Sequence, residues 1–330
     1  GMSDRQEQAV AAIDVGGTNI VGGLIDRDGN ILFKTHKSTQ ACMGGERVLE
    51  NIISVAHRLM KVAEADSIAV SRMGIATAGQ VDPNTGTITY ATDNIPGWTG
   101  VAVKDTLERS TGLTVFVEND ALAAGWGEKV FGVAESAQDF VIITLGTGVG
   151  GAVFVKGRLL PGSTGLAGLI GHMSIVPEGV PCNCGGRGCL EAYVSGPAIA
   201  KAAKDAIRDK PEGLLAELAS ASSGEITAKD VFDTAKYGDP IAMSIVMRTA
   251  KYLGTGIGSI VTLLNPELVI IGGGVSKAGS LLLGPTIESA EAHCSPAAFS
   301  GVTVGLSKFL DDCGLMGAAA IAYTCGIPRI

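Results

Sequence analysis

The sequence predicts an α/β protein of two related halves with a ligand cleft between them. Three observations point there. A chain of 330 residues is too long for one ordinary core and suits two domains. Its apolar residues fall in short runs separated by turns rich in the 47 glycines, the pattern of strands feeding loops and helices. Finally, two of those runs, far apart in the chain, each end in a glycine turn and return at once as a second strand.

Taken in order, Ala9–Val15 is an apolar strand closing in Asp14-Val15-Gly16-Gly17-Thr18, with a second strand over 20–25. Asp28-Gly29 marks a turn, and 31–34 continues the sheet. Gly45–Ala65 has helical spacing, with Val48, Ile52, Val55, Leu59 and Val62 on one side. Residues 73–76 and 115–117 read as buried strands; the second runs into Glu118-Asn119-Asp120 and a helix over 121–130. The opening pattern then returns: a strand over 140–145 ends in Gly146-Thr147-Gly148 and comes back over 152–155. Beyond Ser195 the chain turns helical, over 201–208, 214–221, 228–235 and 240–264, the last stopped by Asn265-Pro266. A strand over 268–271 ends in Gly272-Gly273-Gly274, followed by a helix around 281–283, a strand over 302–306 and a helix of small residues over 315–323.

Composition excludes several classes. The net charge is −8, from 25 basic and 33 acidic residues, with no basic stripe, so nucleic acid is not an expected partner. No apolar run reaches membrane-spanning length and no signal peptide precedes the first strand, so a cytoplasmic protein is expected. Gly1 ahead of Met2 reads as a residue left by cloning.

The chemistry-bearing motifs each carry two readings. Asp14 to Thr18 is either a tight hairpin turn or a loop whose bare backbone approaches a phosphate, with Asp14 holding magnesium through water. Gly146-Thr147-Gly148 makes the same offer, and two such turns favour the phosphate reading; the common P-loop pattern is absent. Gly272-Gly273-Gly274 is a strand-to-helix turn or a surface for adenine and ribose. Asp120 is a helix cap or a carboxylate aimed into the cleft; phosphoryl transfer needs one such group to accept a hydroxyl proton, and Asp120 is the candidate. The sharpest signal is Cys182-Asn183-Cys184-Gly185-Gly186-Arg187-Gly188-Cys189 with His172 upstream. Three thiolates and one imidazole make a closed tetrahedral zinc site, whereas the alternative is reduced core cysteines. Of the seven cysteines, the other four are scattered, which argues against a disulfide framework. Glu191 follows the last ligand, where the zinc loop would fix it.

Together these pieces resemble the ROK family (repressors, open reading frames, kinases) of the actin-like and hexokinase-like ATPases, from about Ile13 to the last helix. The stretches 225–239 and Asn265-Pro266-Glu267 look most like its glucokinase branch. The resemblance implies two actin-like (ribonuclease H-like) domains, residues 2–121 completed by 314–330, and 122–313 with the zinc loop. It implies transfer of the ATP γ-phosphate to a hexose 6-hydroxyl, with Mg and structural Zn, in a homodimer or homotetramer. Asp120 would be the base. Gly79, Asn94, Asn119, His172 and Glu191 would contact the sugar, while Asp14, Gly16, Gly17, Thr18, Gly146, Thr147, Gly148, Gly272, Gly273 and Gly274 would hold the nucleotide. His172, Cys182, Cys184 and Cys189 would bind the zinc.

Two positions depart from the family pattern. Leu169 stands where a Glu is usual, three residues before the zinc His, and Leu122 where an Asn is usual. A minor departure is Ala78 in place of Pro. The first keeps an N-acetylhexosamine kinase (N-acetylmannosamine or N-acetylglucosamine), a kinase for a modified hexose, or a catalytically silent sugar sensor as alternatives. A transcriptional repressor of the family would need a DNA-binding helix-turn-helix ahead of Asp14, which is not expected here.

Overall fold

A computed structural model describes residues 7–330, so the reading of Gly1 and Met2 lies outside the described residues. The chain forms two compact units, one running to Ser136 and taking in Asp312–Ile330, the other Ala137–Asp311.

The first unit opens with β1 (Ala9–Val15), β2 (Asn19–Asp26) and β3 (Ile31–Ser38), joined as antiparallel neighbours. Helix α1 (Gly45–Ala65) follows with the predicted bounds, burying Val48, Ile52, Val55 and Leu59 at helical spacing. Next come β4 (Arg72–Thr77), a small hairpin of β5 (Gln80–Asp82) and β6 (Thr87–Tyr90), α2 (Val103–Thr111), β7 (Thr114–Asn119) and α3 (Asp120–Phe131). The sheet order is β3-β2-β1-β4-β7, with β4 parallel to both β1 and β7.

The second unit repeats this plan. Strands β8 (Phe140–Leu145), β9 (Val149–Val155) and β10 (Arg158–Leu159) form the antiparallel run. Helices α4 (Glu191–Val194), α5 (Gly196–Asp209), α6 (Leu214–Ala221), α7 (Ala228–Lys236) and α8 (Pro240–Leu264) precede β11 (Leu268–Gly272). Helices α9 (Ser280–Ala292) and α10 (Pro296–Phe299) then lead to β12 (Thr303–Leu306). The order β10-β9-β8-β11-β12 matches the first sheet strand for strand, and β11 is parallel to β8 and β12. The two glycine turns thus close equivalent hairpins in two different sheets, as two related halves require.

The chain ends with α11 (Cys313–Thr324), which belongs to the first unit. Its small residues permit close approach: a Cβ on Gly317 would come 2.2 Å from Ala123 in α3, and one on Gly74 in β4 would come within 1.7 Å of the Ala318 carbonyl oxygen. That packing explains why α3 goes with the first unit, so that the compact units divide at 136/137 and 311/312 where the sequence reading put 121/122 and 313/314. Each unit has its own apolar core, around Ile13, Ile52 and Trp98 in one and around Ile143, Leu253 and Ile271 in the other. No helix among the described residues is long and apolar enough to cross a membrane.

Candidate functional site

In the first unit, strand register decides which residues meet. Val15 pairs with Thr77 and Thr77 with Asn119, so the carboxyl ends of β1, β4 and β7 lie at one sheet edge. That edge is where ligands bind in α/β sheets. Asp14 sits one residue inside it, Ala78 and Gly79 just beyond β4, and Asp120 just beyond β7.

The cap of α3 is Asn119, not Asp120. Its Oδ1 accepts from the amides of Ala121 at 3.0 Å and Leu122 at 3.3 Å, while its Nδ2 donates to the Gly79 carbonyl at 2.7 Å. Asp120 is therefore the first helical residue, its Oδ1 accepting only from the adjacent Ala121 amide at 2.8 Å among the described side-chain bonds. Burial pushes Asp120 up to about 6 against the pull of that backbone bond. Burial, helped by the Asp120 and Asp312 carboxylates, pushes Asp14 up to about 7. Gly314, at the start of α11, makes room for this group, since a Cβ there would lie 2.4 Å from Asp14 Oδ2. Asp312 in turn pairs with Lys34 at 2.6 Å.

Gly79 has φ +96°, a backbone state that favours glycine, and a Cβ there would meet the Tyr90 carbonyl at 2.9 Å. Asn94 is exposed on the loop after β6, which is anchored by the buried Trp98 donating to Thr77 Oγ1 at 3.1 Å. Leu122 is half-buried in the first turn of α3.

The turn glycines differ in what holds them in place. Gly17 in the first turn, Gly146 in the second and Gly274 in the third have no left-handed φ, and an added Cβ would meet nothing within 4 Å at any of them. Turn sterics therefore do not demand glycine at these three positions, and the bare backbone there stands open. Gly273 differs: its φ of +87° and the backbone of Leu145, 2.4 Å from an added Cβ, require glycine for the fold itself. Gly16 closes the first turn by donating to the Asn19 carbonyl at 2.9 Å, with Thr18 exposed at its tip. Gly272 ends β11 opposite Thr144.

Within the second unit, Gly146, Thr147 and Gly274 line one cavity of about 650 Å³. Its remaining walls come from α5 (Pro197, Ala200), from α7 with the turn before it (Ile226, Thr227, Phe232, Asp233, Lys236), and from Lys277 and Asp311. The sequence reading missed these helical walls. Their signal was the amphipathic pattern of α5 and α7, which bury Ile199 and Ala203 in one and Val231 and Phe232 in the other.

The cysteine loop lies in the same unit. The ligand atoms of His172, Cys182, Cys184 and Cys189 all fall within 4.8 Å of one another. Cys182 Sγ is 3.6 Å from His172 Nδ1, and Cys184 Sγ is 3.6 Å from Cys189 Sγ. A disulfide needs about 2.05 Å, whereas zinc–sulfur bonds of about 2.3 Å in a tetrahedron put sulfurs about 3.8 Å apart. The donor set and its spacing fit zinc. Positive φ at Gly185 and Gly188 lets the loop double back, and a Cβ on Gly188 would strike the Val176 carbonyl.

Glu191 opens α4 directly behind this loop, its Oε2 accepting from the Val149 amide at 2.7 Å, beside Gly148. Leu169 starts the short turn that carries His172; its side chain remains 45% exposed although apolar.

The chain matches the ROK family over residues 10–324. It is 38% identical to a glucokinase of Halalkalibacterium halodurans over 96% of this chain and 94% of that protein. It is 35% identical to an N-acetylmannosamine kinase of Escherichia fergusonii over 94% of this chain and 97% of that one. A crystal structure of a ROK family glucokinase from Streptomyces griseus, in complex with glucose and AMPPNP, superposes with a TM-score of 0.86 at 33% identity, covering 96% of this chain and 99% of that one. With a family match that runs almost from end to end and relatives of this identity and coverage, the chain belongs to the ROK family.

Proposed function

We propose that this chain is an ATP-dependent hexose kinase of the glucokinase kind, which transfers the γ-phosphate to the sugar 6-hydroxyl. The observation that carries the reading is the division of labour at the start of α3. Asn119 caps the helix, which leaves Asp120 as a carboxylate at a strand's carboxyl end, poised at about 6. In the reaction the hydroxyl oxygen attacks the γ-phosphorus, the bond to the β–γ bridging oxygen breaks, and ADP leaves. Asp120 takes the hydroxyl proton. Phosphoryl transfer asks for little more than alignment and charge neutralisation.

The cavity lined by Gly146, Thr147, Gly274 and Phe232 suits a nucleotide, with bare turn backbone toward the phosphates and an aromatic wall toward the base. Asp14 would hold magnesium, which when bound neutralises phosphate charge. The raised Asp14 carboxyl beside Asp120 is the kind of uncompensated acidic pair that a cation relieves. His172, Cys182, Cys184 and Cys189 would hold a structural zinc that fixes the loop carrying Glu191. Gly79, Asn94, Asn119, His172 and Glu191 would contact the sugar. The expected setting is a cytoplasmic homodimer or homotetramer without nucleic acid.

An ADP-release assay with glucose, mannose, fructose, N-acetylglucosamine and N-acetylmannosamine tests the reading. Glucose should turn over best, and absence of turnover with all five sugars overturns it. A second reading, an N-acetylhexosamine kinase, is favoured by the apolar, exposed Leu169 and by the relative named N-acetylmannosamine kinase.

A further inference from the structure

Glu118 is the residue before the α3 cap, and its side chain leaves β7 on the opposite face from that of Asn119. It is 3% exposed. One of its oxygens, Oε2, pairs with Arg329 Nη2 at 2.5 Å; the other, Oε1, accepts from the Asn119 amide at 3.1 Å. Arg329 comes from the segment after α11, more than two hundred residues away along the chain, and its side chain is 26% exposed.

We propose that Arg329 and Glu118 are positioning residues for Asp120: their ion pair holds the Asn119 amide and so fixes the strand-to-helix junction from which Asp120 projects. The inference rests on the reading of Asp120 as the base. The path is short and polar throughout. Arg329 holds the Glu118 carboxylate, which holds the Asn119 amide. Asn119 then uses its side chain to cap α3 and to clamp Gly79 across the sheet edge. A buried carboxylate tolerates burial when it is paired. Without Arg329 it would turn toward solvent or take up a proton, and the amide it holds would lose its acceptor. The junction would loosen, and an error of about 1 Å in a reacting group lowers turnover by up to about 10²-fold.

The test compares kcat and the affinity for ADP alone, by calorimetry, in wild type, Asp120→Asn, Arg329→Ala, Arg329→Lys and the double variant Arg329→Ala with Glu118→Gln. Arg329→Ala should lower kcat about tenfold with ADP affinity within about twofold, because the loss is of alignment and not of the nucleotide cavity. Arg329→Lys should recover part of the loss. The double variant should recover most of it, since a neutral amide needs no cation and its oxygen still accepts from Asn119. Wild-type kcat in Arg329→Ala, with Asp120→Asn inactive, overturns the proposal. Normal turnover in Asp120→Asn overturns the reading of the base instead. If Arg329→Ala fails to fold by circular dichroism, the double variant decides: recovered kcat supports positioning, and a folded but slow enzyme refutes it.

Discussion

The Glu191 carboxylate accepts a hydrogen bond from the Val149 amide at 2.7 Å, which ties the cysteine loop to the turn Gly146-Thr147-Gly148. The turn is held from a second side by the Gly196 amide, which donates to the Gly146 carbonyl at 2.8 Å. Glu191 thus has a job in the fold besides the sugar contact expected of it. Glu191→Ala should damage both halves of the reaction: a sugar KM raised about tenfold or more, and a weaker ADP affinity by about threefold, since a buried amide loses its charged acceptor. Glu191→Gln keeps an acceptor oxygen and should spare ADP affinity while still raising the sugar KM. Steady-state kinetics with ADP calorimetry separate the two; equal effects of Ala and Gln on ADP affinity would refute the tie.

The Asp14 and Asp120 carboxyls make activity and stability run in opposite directions with pH. Asp120, as a base, must be ionised to accept a proton, so kcat/KM should fall as pH drops through about 6. Asp120→Asn should lower kcat by about 10²-fold or more with little change in ATP affinity. For stability the sign reverses. In the unfolded chain an Asp titrates near about 3.9, so between that value and about 7 the folded protein binds more protons than the unfolded one. Folding stability therefore declines as pH rises through this window. Asp14→Asn, inactive by this account, should raise the stability of the ligand-free protein by about 1–2 kcal/mol near pH 8 and by almost nothing below about pH 4. Thermal melts at both pH values check it, and a variant destabilised near pH 8 would contradict the cause assigned to Asp14.

Purified under chelator-free conditions, the protein should carry about one zinc per chain, as a closed four-ligand site implies. Cys184→Ser should release the metal, lower the melting temperature and raise the sugar KM, because His172 and Glu191 are carried by the segments that the ligands join. Elemental analysis and melting curves decide. A fully folded protein without metal would show that the four ligands merely crowd together.

How far the sequence was legible depended on whether a local signal existed. Helices α1, α6 and α8 were read to the residue, since apolar spacing is strong and α8 has a stop signal: Asn265, left-handed at φ 46°, ahead of Pro266. Helix α2 was missed. It buries only Val103 and Leu107, and its start at Ala102 has no side-chain cap, so its period is short and only Gly112, left-handed at φ 73°, punctuates its end. The paired hairpin turns, the clustering of the cysteine loop and the place of Asp120 at the end of β7 were legible because spacing within a few residues defines them. The helical walls of the cavity beside Gly146 and the Arg329–Glu118 pair were not, for they join residues far apart in the chain. The Asp-as-cap reading of Asp120 failed for a subtler reason: Asn119 and Asp120 are both good caps, and only the backbone decides between them.

Leu169 offers the most direct test of sugar choice. It begins the turn that carries His172 and stays 45% exposed, an apolar side chain at a place where the family pattern has a carboxylate. A pocket built to hydrogen-bond a hydroxyl discriminates strongly against ligands that cannot bond there. Conversely, a hydroxyl buried against Leu loses its partner at a cost of about 1–3 kcal/mol. The preferred sugar should then present an apolar group to Leu169, such as an acetamido methyl, or be held by Glu191 and Asn94 instead. Leu169→Glu should therefore raise kcat/KM for glucose relative to N-acetylmannosamine by about tenfold, the lower part of that energetic range. Both sugars must be measured on both proteins, because a loss of folded enzyme lowers all rates together and leaves their ratio unchanged. A ratio that stays flat, or moves toward the N-acetylated sugar, would mean that Leu169 does not face the substrate and that specificity is set elsewhere on the loop.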